Sequence, residues 1–276
     1  ATVNAKAQQE FDAFIAQLRT VGVQVIVVDD TAETDTPDSI FPNNWISFHE
    51  NGDVVLYPMF AENRRLERRE DILDVLEDEG FVVNEIMDYT SAETEGYYLE
   101  GTGSIVLDRE NGKAYCALSP RADEELFIEF CEDFEYTPVI FEAFQTVDSE
   151  RKLIYHTNVM MCIGDTFAVI CADCIDDKKE RKMVLDSLRG DEKEIILITE
   201  AQLNNFAGNM LEVIGANERR YLVMSASAYQ SLTKKQIAQL EEHLTILKAN
   251  LDTIEACGGG SARCMMAEIF LPKSAV

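Results

Sequence analysis

The chain has 276 residues, of which 46% are hydrophobic, so it can bury a sizeable core as one large domain or two small ones. Asp and Glu number 51 against 24 Lys and Arg, which gives a formal net charge of −27 at pH 7. A surface this acidic repels nucleic acid and anionic membranes, so the composition predicts neither as a partner. No apolar stretch is long enough to cross a bilayer and no secretion signal is recognisable, so we expect a cytoplasmic protein.

The cysteines indicate reduced thiols rather than a disulfide framework. There are seven, an odd number in a chain too large to need covalent stapling, at positions 116, 131, 162, 171, 174, 257 and 264. Cys171 and Cys174 have the spacing of a metal-binding pair, but the sequence offers no second pair and no nearby histidine. We therefore predict no metal and no organic cofactor.

Predicted helices and strands follow one another in a regular order. Residues 5–20 have the apolar spacing of an amphipathic helix, and residues 23–28 form an apolar run typical of a strand. A loop leads to a hairpin over 45–48 and 54–57, a helix over 64–79 and a strand over 81–87. The order then recurs three times: strands 104–108 and 114–118, helix 123–131, strand 139–141; strands 159–163 and 166–170, helix 177–188, strand 195–198; strands 210–214 and 221–224, helix 234–249, strand 251–255.

These repeats predict the fold class. Their first strands begin near Trp45, Ser104, Val159, Met210 and Met265, at separations of 59, 55, 51 and 55 residues. A recurring period of this size indicates an α/β fold of five strand–strand–helix–strand units. Residues 5–28 complete the fifth unit and close the ring, and its middle strand is expected to precede Ala1. No linker-like segment divides the chain, so residues 1–276 are predicted to form a single domain.

Polar residues precede each first strand, in the stretches Pro42–Asn44, Leu99–Gly103, Tyr155–Asn158, Phe206–Asn209 and Gly260–Cys264. If the five units are related by rotation, equivalent residues lie near one axis. We therefore expect one pocket that contains the carboxylate of Glu100, the imidazole of His156, the thiol of Cys264 and several carboxamides. A nucleophile, a base and an orienting acid are the parts of a covalent catalyst. Taken one at a time, Glu100 could cap a turn, His156 could be a core histidine and the asparagines could be turn formers. Their recurrence at equivalent turns favours a site.

The loop before the last apolar run singles out Cys264 as the nucleophile. Three successive glycines, Gly258–Gly260, let the backbone turn tightly or approach a ligand closely. A cationic neighbour such as Arg263 favours the thiolate, which is the nucleophilic form of cysteine. The alternative is a small buried hydrophobe, which is what most free cysteines are.

Six ordered motifs over nearly the whole chain resemble the pentein, or guanidino-group-modifying, superfamily. They are Pro37–Trp45, Asn63–Arg69, Leu99–Ser104, Leu118–Arg121, Tyr155–Val159 and Gly258–Leu271. The resemblance is strongest to its citrulline-utilisation hydrolase branch, which is related to dimethylarginine dimethylaminohydrolase and arginine deiminase. It implies a five-bladed α/β propeller with pseudo-fivefold symmetry and a central active site.

The resemblance also implies roles for individual residues in these motifs. Cys264 is expected to attack the central carbon of a guanidino or ureido group, and His156 to protonate the leaving amine and then activate water. Glu100 is expected to hold and charge-stabilise His156. Arg64 and Arg121 match positions that hold the α-carboxylate of the substrate in the dimethylarginine branch. The charge pattern alone would make Arg64 a solvated member of an arginine-rich run.

Asp38 matches a position near the substrate's α-amino group, whereas Asn43, Asn44 and Asn158 depart from the family pattern. In arginine deiminases and dimethylarginine hydrolases the position of Asn44 is a carboxylate that binds the guanidinium cation, and in deiminases that of Asn158 is aspartate. A carboxamide offers a donor and an acceptor but no charge, which suits a neutral ureido group better than a cation. We therefore expect a citrulline-like substrate, hydrolysed to ornithine, carbon dioxide and ammonia.

Several alternatives remain open at this point. An arginine deiminase or dimethylarginine hydrolase would bind a cation instead, and an amidinotransferase would resolve the intermediate with an amine instead of water. A pentein-fold binding protein without catalysis is the non-enzyme alternative, although such proteins lack the cysteine and histidine pair. The expected partner is a small amino acid, and the sequence leaves a homo-oligomer open.

Overall fold

A computed structural model describes residues 2–30 and 35–274 of the chain. Its α-helices are α1 Val3–Thr20, α2 Asp71–Asp78, α3 Gly101–Ser104, α4 Glu124–Asp133, α5 Lys178–Gly190, α6 Glu200–Leu203, α7 Ala226–Ser231, α8 Lys234–His243 and α9 Asp252–Gly258. Its strands are β1 Ile46–Phe48, β2 Asp53–Leu56, β3 Glu85–Asp88, β4 Ile105–Asp108, β5 Lys113–Ala117, β6 Thr137–Phe141, β7 Phe144–Val147, β8 Glu150–Leu153, β9 Met161–Ile163, β10 Phe167–Ile170, β11 Glu194–Leu197, β12 Leu211–Ile214, β13 Arg220–Ser225 and β14 Thr245–Ala249.

Four three-stranded sheets share one topology. Their orders are β1-β2-β3, β4-β5-β6, β9-β10-β11 and β12-β13-β14. In each sheet the first two strands are antiparallel, and the third runs parallel to the middle strand. This follows from the connections, because a short turn joins antiparallel neighbours whereas parallel neighbours need a crossover, here through a helix. Four of the predicted repeat units are thereby confirmed in their strand order.

The crossover helices α4, α5 and α8 begin at side-chain caps and bury one face. The carboxylate of Asp177 accepts hydrogen bonds from the first backbone N–H groups of α5, and Thr233 forms a reciprocal capping box with Gln236 at the start of α8. Val184 and Leu188 on the inner face of α5 are fully buried against the sheet β9-β10-β11. The middle strand β10 is itself buried along its whole length, so this unit is a sheet covered by its own helix.

Two predicted helices are wrong. Residues 62–67 form a 3₁₀ turn and the α-helix begins only at Asp71, because the side chain of Arg64 turns inward to buried partners instead of lying on a solvated helix face. The helix predicted over 234–249 ends at His243. The β-branched residues Thr245 and Ile246 continue as β14, where the sequence predicted helix, and α9 occupies 252–258, where it predicted a strand.

The fifth unit is not formed as a sheet by the described residues. Residues 23–28 and 265–271 form no helix and pair with no strand in the part of the chain that the structure describes. Both segments line a cavity of about 800 Å³. The predicted strand before Ala1 lies outside the described residues. A hairpin of β7 and β8, which the sequence analysis did not predict, is inserted before the third unit.

Among the described residues, no helix is long and apolar enough to cross a membrane.

Candidate active site

Short turns before the first strands bring the predicted site residues together. The 3₁₀ turn Pro42–Asn44, helix α3 and the 3₁₀ turn Thr157–Val159 lie immediately before β1, β4 and β9. Thr102 Oγ1 donates to the carbonyl of Asn43 at 3.3 Å, and Thr157 Oγ1 donates to the carbonyl of Ser104 at 2.5 Å. Hydrogen bonds therefore link the three turns to one another, as the repeat argument predicted for their positions.

Two glycines allow α3 to approach its neighbours this closely. Gly101 has a φ of +46°, and a Cβ there would collide with the carbonyl of Asn43. A Cβ on Gly103 would collide with Nδ2 of Asn44 and would lie 3.1 Å from the ring of His156. The space beside Gly103 is therefore the point where the Asn44 carboxamide and the His156 imidazole meet.

Glu100 and His156 form a buried pair. His156 Nε2 lies 2.6 Å from Glu100 Oε2, and the other carboxylate oxygen accepts from the backbone N–H of Phe60 at 3.0 Å. Burial alone would raise the pKa of Glu100, but the hydrogen bond and charge of His156, together with Arg121, lower it to about 2. Burial lowers the pKa of His156, and Glu100 opposes this only in part.

These shifts fix which ring nitrogen is available for proton transfer. An ionised carboxylate only accepts hydrogen bonds, so Nε2 of His156 carries the proton that faces Glu100. Neutral His156 then presents the lone pair of Nδ1, the nitrogen that the pair with Glu100 leaves available. The arrangement is that of a general base held in one tautomer by a carboxylate.

The thiol of Cys264 faces two carboxamides. Asn209 Nδ2 lies 3.2 Å from Sγ and Asn158 Nδ2 lies 3.6 Å from it. The side chain is 6% exposed. Donors at these distances stabilise negative charge on sulfur. The guanidinium of Arg263 is bound by Glu268 at 3.1 Å and by the carbonyl of Met266 at 2.9 Å, and its effect on the thiol stays a prediction.

Arg64 is buried and bound on all three of its nitrogens. Nε and Nη2 donate to the two carboxylate oxygens of Glu67 at 2.9 and 2.8 Å. Nη1 donates to Asn44 Oδ1 at 2.6 Å, and Nη2 also donates to the carbonyl of Phe41 at 3.2 Å. Arg64 thus contacts the predicted site through Asn44, and its role towards a substrate carboxylate stays a prediction.

Arg121 lies at the edge of the site and is more accessible. Its side chain is 31% exposed, and Nη1 lies 3.4 Å from Glu100 Oε2. The guanidinium stands 5.3 Å from the ring centre of Tyr155 and 6.0 Å from that of Phe60. Asp38 is half-buried, and its carboxylate forms no hydrogen bond within the described ranges. Unlike Arg64, these two residues are not fully buried, and their roles towards a substrate stay predictions.

Two residues of the site escaped the sequence analysis. Asn209 was noted at an equivalent turn but given no role, although it is the amide nearest to the Cys264 sulfur. Glu67 lies in a stretch that reads as a charged surface helix, and nothing in its spacing indicates that it is buried. Glu67 is recognisable as the partner of Arg64 only in the structure, where Arg64 points inward.

Comparison with known proteins defines the class of the protein. A family profile described as eukaryotic N,N-dimethylarginine dimethylhydrolase matches residues 1–271. The match, together with the fold, places the protein in the pentein superfamily. The chain belongs to the N,N-dimethylarginine dimethylhydrolase family. No curated protein is detectably similar to it in sequence.

Solved structures share the mixed α/β fold. Apo ArgZ, an arginine dihydrolase of cyanobacteria, matches with a TM-score of 0.73 at 17% identity, over 97% of this chain and 38% of that one. The N-terminal domain of ArgZ, covalently bound to a reaction intermediate, matches with 0.70 at 17%, over 97% and 89%. A dimethylarginine dimethylaminohydrolase adduct with S-methyl-L-thiocitrulline matches with 0.65 at 17%, over 95% and 87%. The chain therefore spans about two fifths of the length of whole ArgZ, at 38%.

Proposed function

We propose that the protein is a cysteine-dependent hydrolase that converts citrulline to ornithine, carbon dioxide and ammonia. The observation that carries the proposal is that the site presents uncharged carboxamides. Asn158 and Asn209 face the Cys264 sulfur. Asn44 Nδ2 lies beside Gly103 and the ring of His156, and the carboxylate of Glu100 is already engaged by that ring. Burying a guanidinium cation among amides leaves its charge without an anionic partner, whereas a neutral ureido group needs only hydrogen bonds.

The proposed reaction begins at Cys264. Its sulfur attacks the ureido carbon and forms a C–S bond, and neutral His156 takes up the thiol proton at Nδ1. His156 then protonates the leaving amine, the C–N bond breaks, and an S-linked acyl intermediate remains. Water, deprotonated by His156, cleaves the C–S bond and restores the thiol. The carbamic acid formed loses carbon dioxide, so either order of amine departure gives the same products.

The S-linked intermediate is supported by a relative. The N-terminal domain of ArgZ has been captured covalently bound to a reaction intermediate. In this chain the donors Asn209 and Asn158 are the groups that would hold the sulfur before it attacks. Arg121 and Asp38 would bind the α-carboxylate and the α-amino group, because they are the accessible ions of opposite sign beside the site.

A guanidino substrate is the second candidate. The family name refers to dimethylarginine and ArgZ is an arginine dihydrolase, so arginine or its methylated form is the natural competitor. The half-buried carboxylate of Asp38, which no hydrogen bond engages within the described ranges, is the group that could accompany a cation. An amidinotransferase would require an amine acceptor in place of water.

The test is a product assay that resolves ornithine, citrulline and ammonia after incubation with citrulline, arginine or dimethylarginine. The proposal expects ornithine and ammonia from citrulline. The same assay with added amine acceptors separates hydrolysis from transfer. Release of citrulline from arginine or dimethylarginine, with citrulline itself left intact, would replace the proposal with the second candidate.

We also propose that residues 1–276 form a single five-bladed catalytic domain in a reducing compartment such as the cytoplasm. Residues 265–271 and 23–28 would be the outer strands of the fifth unit, on either side of a middle strand that the described residues do not supply. The four complete sheets and the cavity lined by both unpaired segments support the fifth unit. All seven cysteines are free, which supports the reducing compartment.

A further inference from the structure

A chain of buried hydrogen bonds runs from Glu67 to the site carboxamides. It begins with the pair of Arg64 and Glu67, whose side chains are 6% and 0% exposed and whose two parallel bonds are 2.8 and 2.9 Å long. Burial alone would lower the pKa of Arg64, but the hydrogen bonds and charge of Glu67 raise it. Arg64 is therefore a fixed cation that can only donate hydrogen bonds.

The cation determines how the Asn44 amide is oriented. Nη1 of Arg64 lies 2.6 Å from the Asn44 side chain, and since that nitrogen only donates, the atom facing it must be the oxygen Oδ1. The Nδ2 group of Asn44 is consequently turned away from Arg64. It lies beside Gly103 and the His156 ring, in the part of the site where a substrate would meet the base.

The orientation passes on to Asn43. Nδ2 of Asn44 donates to Asn43 Oδ1 at 3.1 Å, which leaves Asn43 Nδ2 as the free end of the chain. Asn43 is completely buried. Within the described ranges, its Nδ2 is the one buried side-chain nitrogen or oxygen that lacks a hydrogen-bond partner. A buried donor without a partner costs about 1–3 kcal/mol, which an acceptor on a bound ligand would recover.

We propose that Glu67 and Arg64 are positioning residues that lock Asn44 and Asn43 as hydrogen-bond donors and so select a substrate group that accepts, the ureido oxygen. This inference rests on the proposed function, because citrulline carries an oxygen at the reacting carbon and arginine does not. A guanidinium presents N–H groups in its place, and two locked donors would then face donors. The ion pair thus excludes the cationic substrate through the orientation of the Asn44 amide.

The test uses a double substitution that removes the pair without leaving a buried charge, Arg64→Met with Glu67→Met. Without Arg64 the Asn44 amide can flip, so its oxygen and that of Asn43 can face the site. The matched control is Asp108→Leu with Lys193→Met, a buried pair 3.3 Å apart that contacts none of the residues proposed for the site. Thermal unfolding of both variants verifies folding.

The readout is the ratio of citrulline to arginine affinity, measured by calorimetry in the inactive Cys264→Ser background. We expect the ratio to fall by about tenfold or more when Arg64 and Glu67 are replaced, and to stay unchanged in the control. Asn44→Asp should lower it as well, because a carboxylate offers only acceptors and turns the Asn43 amide round.

Failure of the positioning role of Glu67 and Arg64 and failure of the proposed function give different results. If the inactive enzyme prefers citrulline but the double substitution leaves the ratio unchanged, the positioning role is wrong and the function stands. If the inactive enzyme prefers citrulline and the ratio falls, but the active enzyme releases no ornithine from citrulline, the positioning role stands and the proposed reaction is wrong. Preference of the inactive enzyme for arginine overturns both.

Discussion

The buried pair of Glu100 and His156 shows how single residues set the chemistry of the site. Glu100 accepts from His156 and from the backbone of Phe60, and no part of its side chain is exposed. Its pKa of about 2 keeps it ionised, so it orients a neutral His156. A carboxylate in this place acts by holding the base and not by exchanging protons itself.

Replacing Glu100 with Gln should change how stability depends on pH. The pKa of Glu100 is lowered from 4.5 to about 2 in the folded state, so its contribution is fully present above pH 4.5 and is lost as the pH falls towards 2. The shift corresponds to about 3 kcal/mol. Urea unfolding should show a large difference between wild type and variant at pH 7 and a much smaller one at pH 3. His156, whose pKa is lowered by burial, loses stability with acid in the same direction.

An unfolding difference between wild type and Glu100→Gln that is the same at both pH values would contradict the pairing of Glu100 with His156.

Cys264 should be the only cysteine required for turnover. Cys264→Ala removes the sulfur that two amides contact, and we expect ornithine release to fall below detection while the circular dichroism spectrum is unchanged. Cys257 is the matched control, because it is exposed and lies at the end of α9, just before the loop that carries Cys264. Cys257→Ala should retain the wild-type rate, and residual turnover by Cys264→Ala would rule out covalent catalysis by this residue.

At the scale of elements, the site depends on turns that approach one another closely. Helix α3 can lie against the Pro42–Asn44 turn only because Gly101 and Gly103 have no side chains. Gly103→Ala would push Nδ2 of Asn44 and the ring of His156 apart. We expect kcat to fall by about tenfold to a hundredfold, since displacements of this size misplace reacting groups.

The control for Gly103→Ala is Gly190→Ala at the end of α5, where a Cβ meets nothing within 4 Å. It should leave kcat unchanged and the melting temperature equal or slightly higher. Equal kcat values for Gly103→Ala and the wild type, by ornithine assay, would show that the close approach is not needed.

The repeating hairpins were predictable because their signals are local. Alternating apolar runs around short turns such as Asn51-Gly52 specify two strands and a register without reference to the rest of the fold. The helix over 64–79 failed for the opposite reason. Its charges look solvated in sequence, but Arg64 turns inward to tertiary partners, the carboxamide of Asn44 and the carbonyl of Phe41.

The candidate site was predictable in part for a similar reason. The period of the repeat located the turns that carry Glu100, His156 and Cys264, and these turns meet in the structure. The period carries no information on which amide faces the sulfur or which acid holds an arginine. Asn209 and Glu67 therefore emerged only from the geometry.

At the scale of the whole molecule, closure of the proposed ring would depend on the fifth unit. Residues 24–28 have no strand partner within the described ranges, whereas β14 pairs with β13 along its length. The amides of 24–28 should therefore exchange with deuterium about a hundredfold faster than those of β14. Equal protection of the two segments would show that a strand already occupies the cavity between 23–28 and 265–271.

The product of citrulline hydrolysis tests the central claim most directly. Purified protein is incubated separately with citrulline and with arginine. It should release ornithine and ammonia from citrulline with a kcat/KM at least about tenfold higher than its kcat/KM for arginine. The reason is that the carboxamides Asn44 and Asn158 supply no charge for a cation. Efficient release of citrulline from arginine, without ornithine from citrulline, would contradict the account.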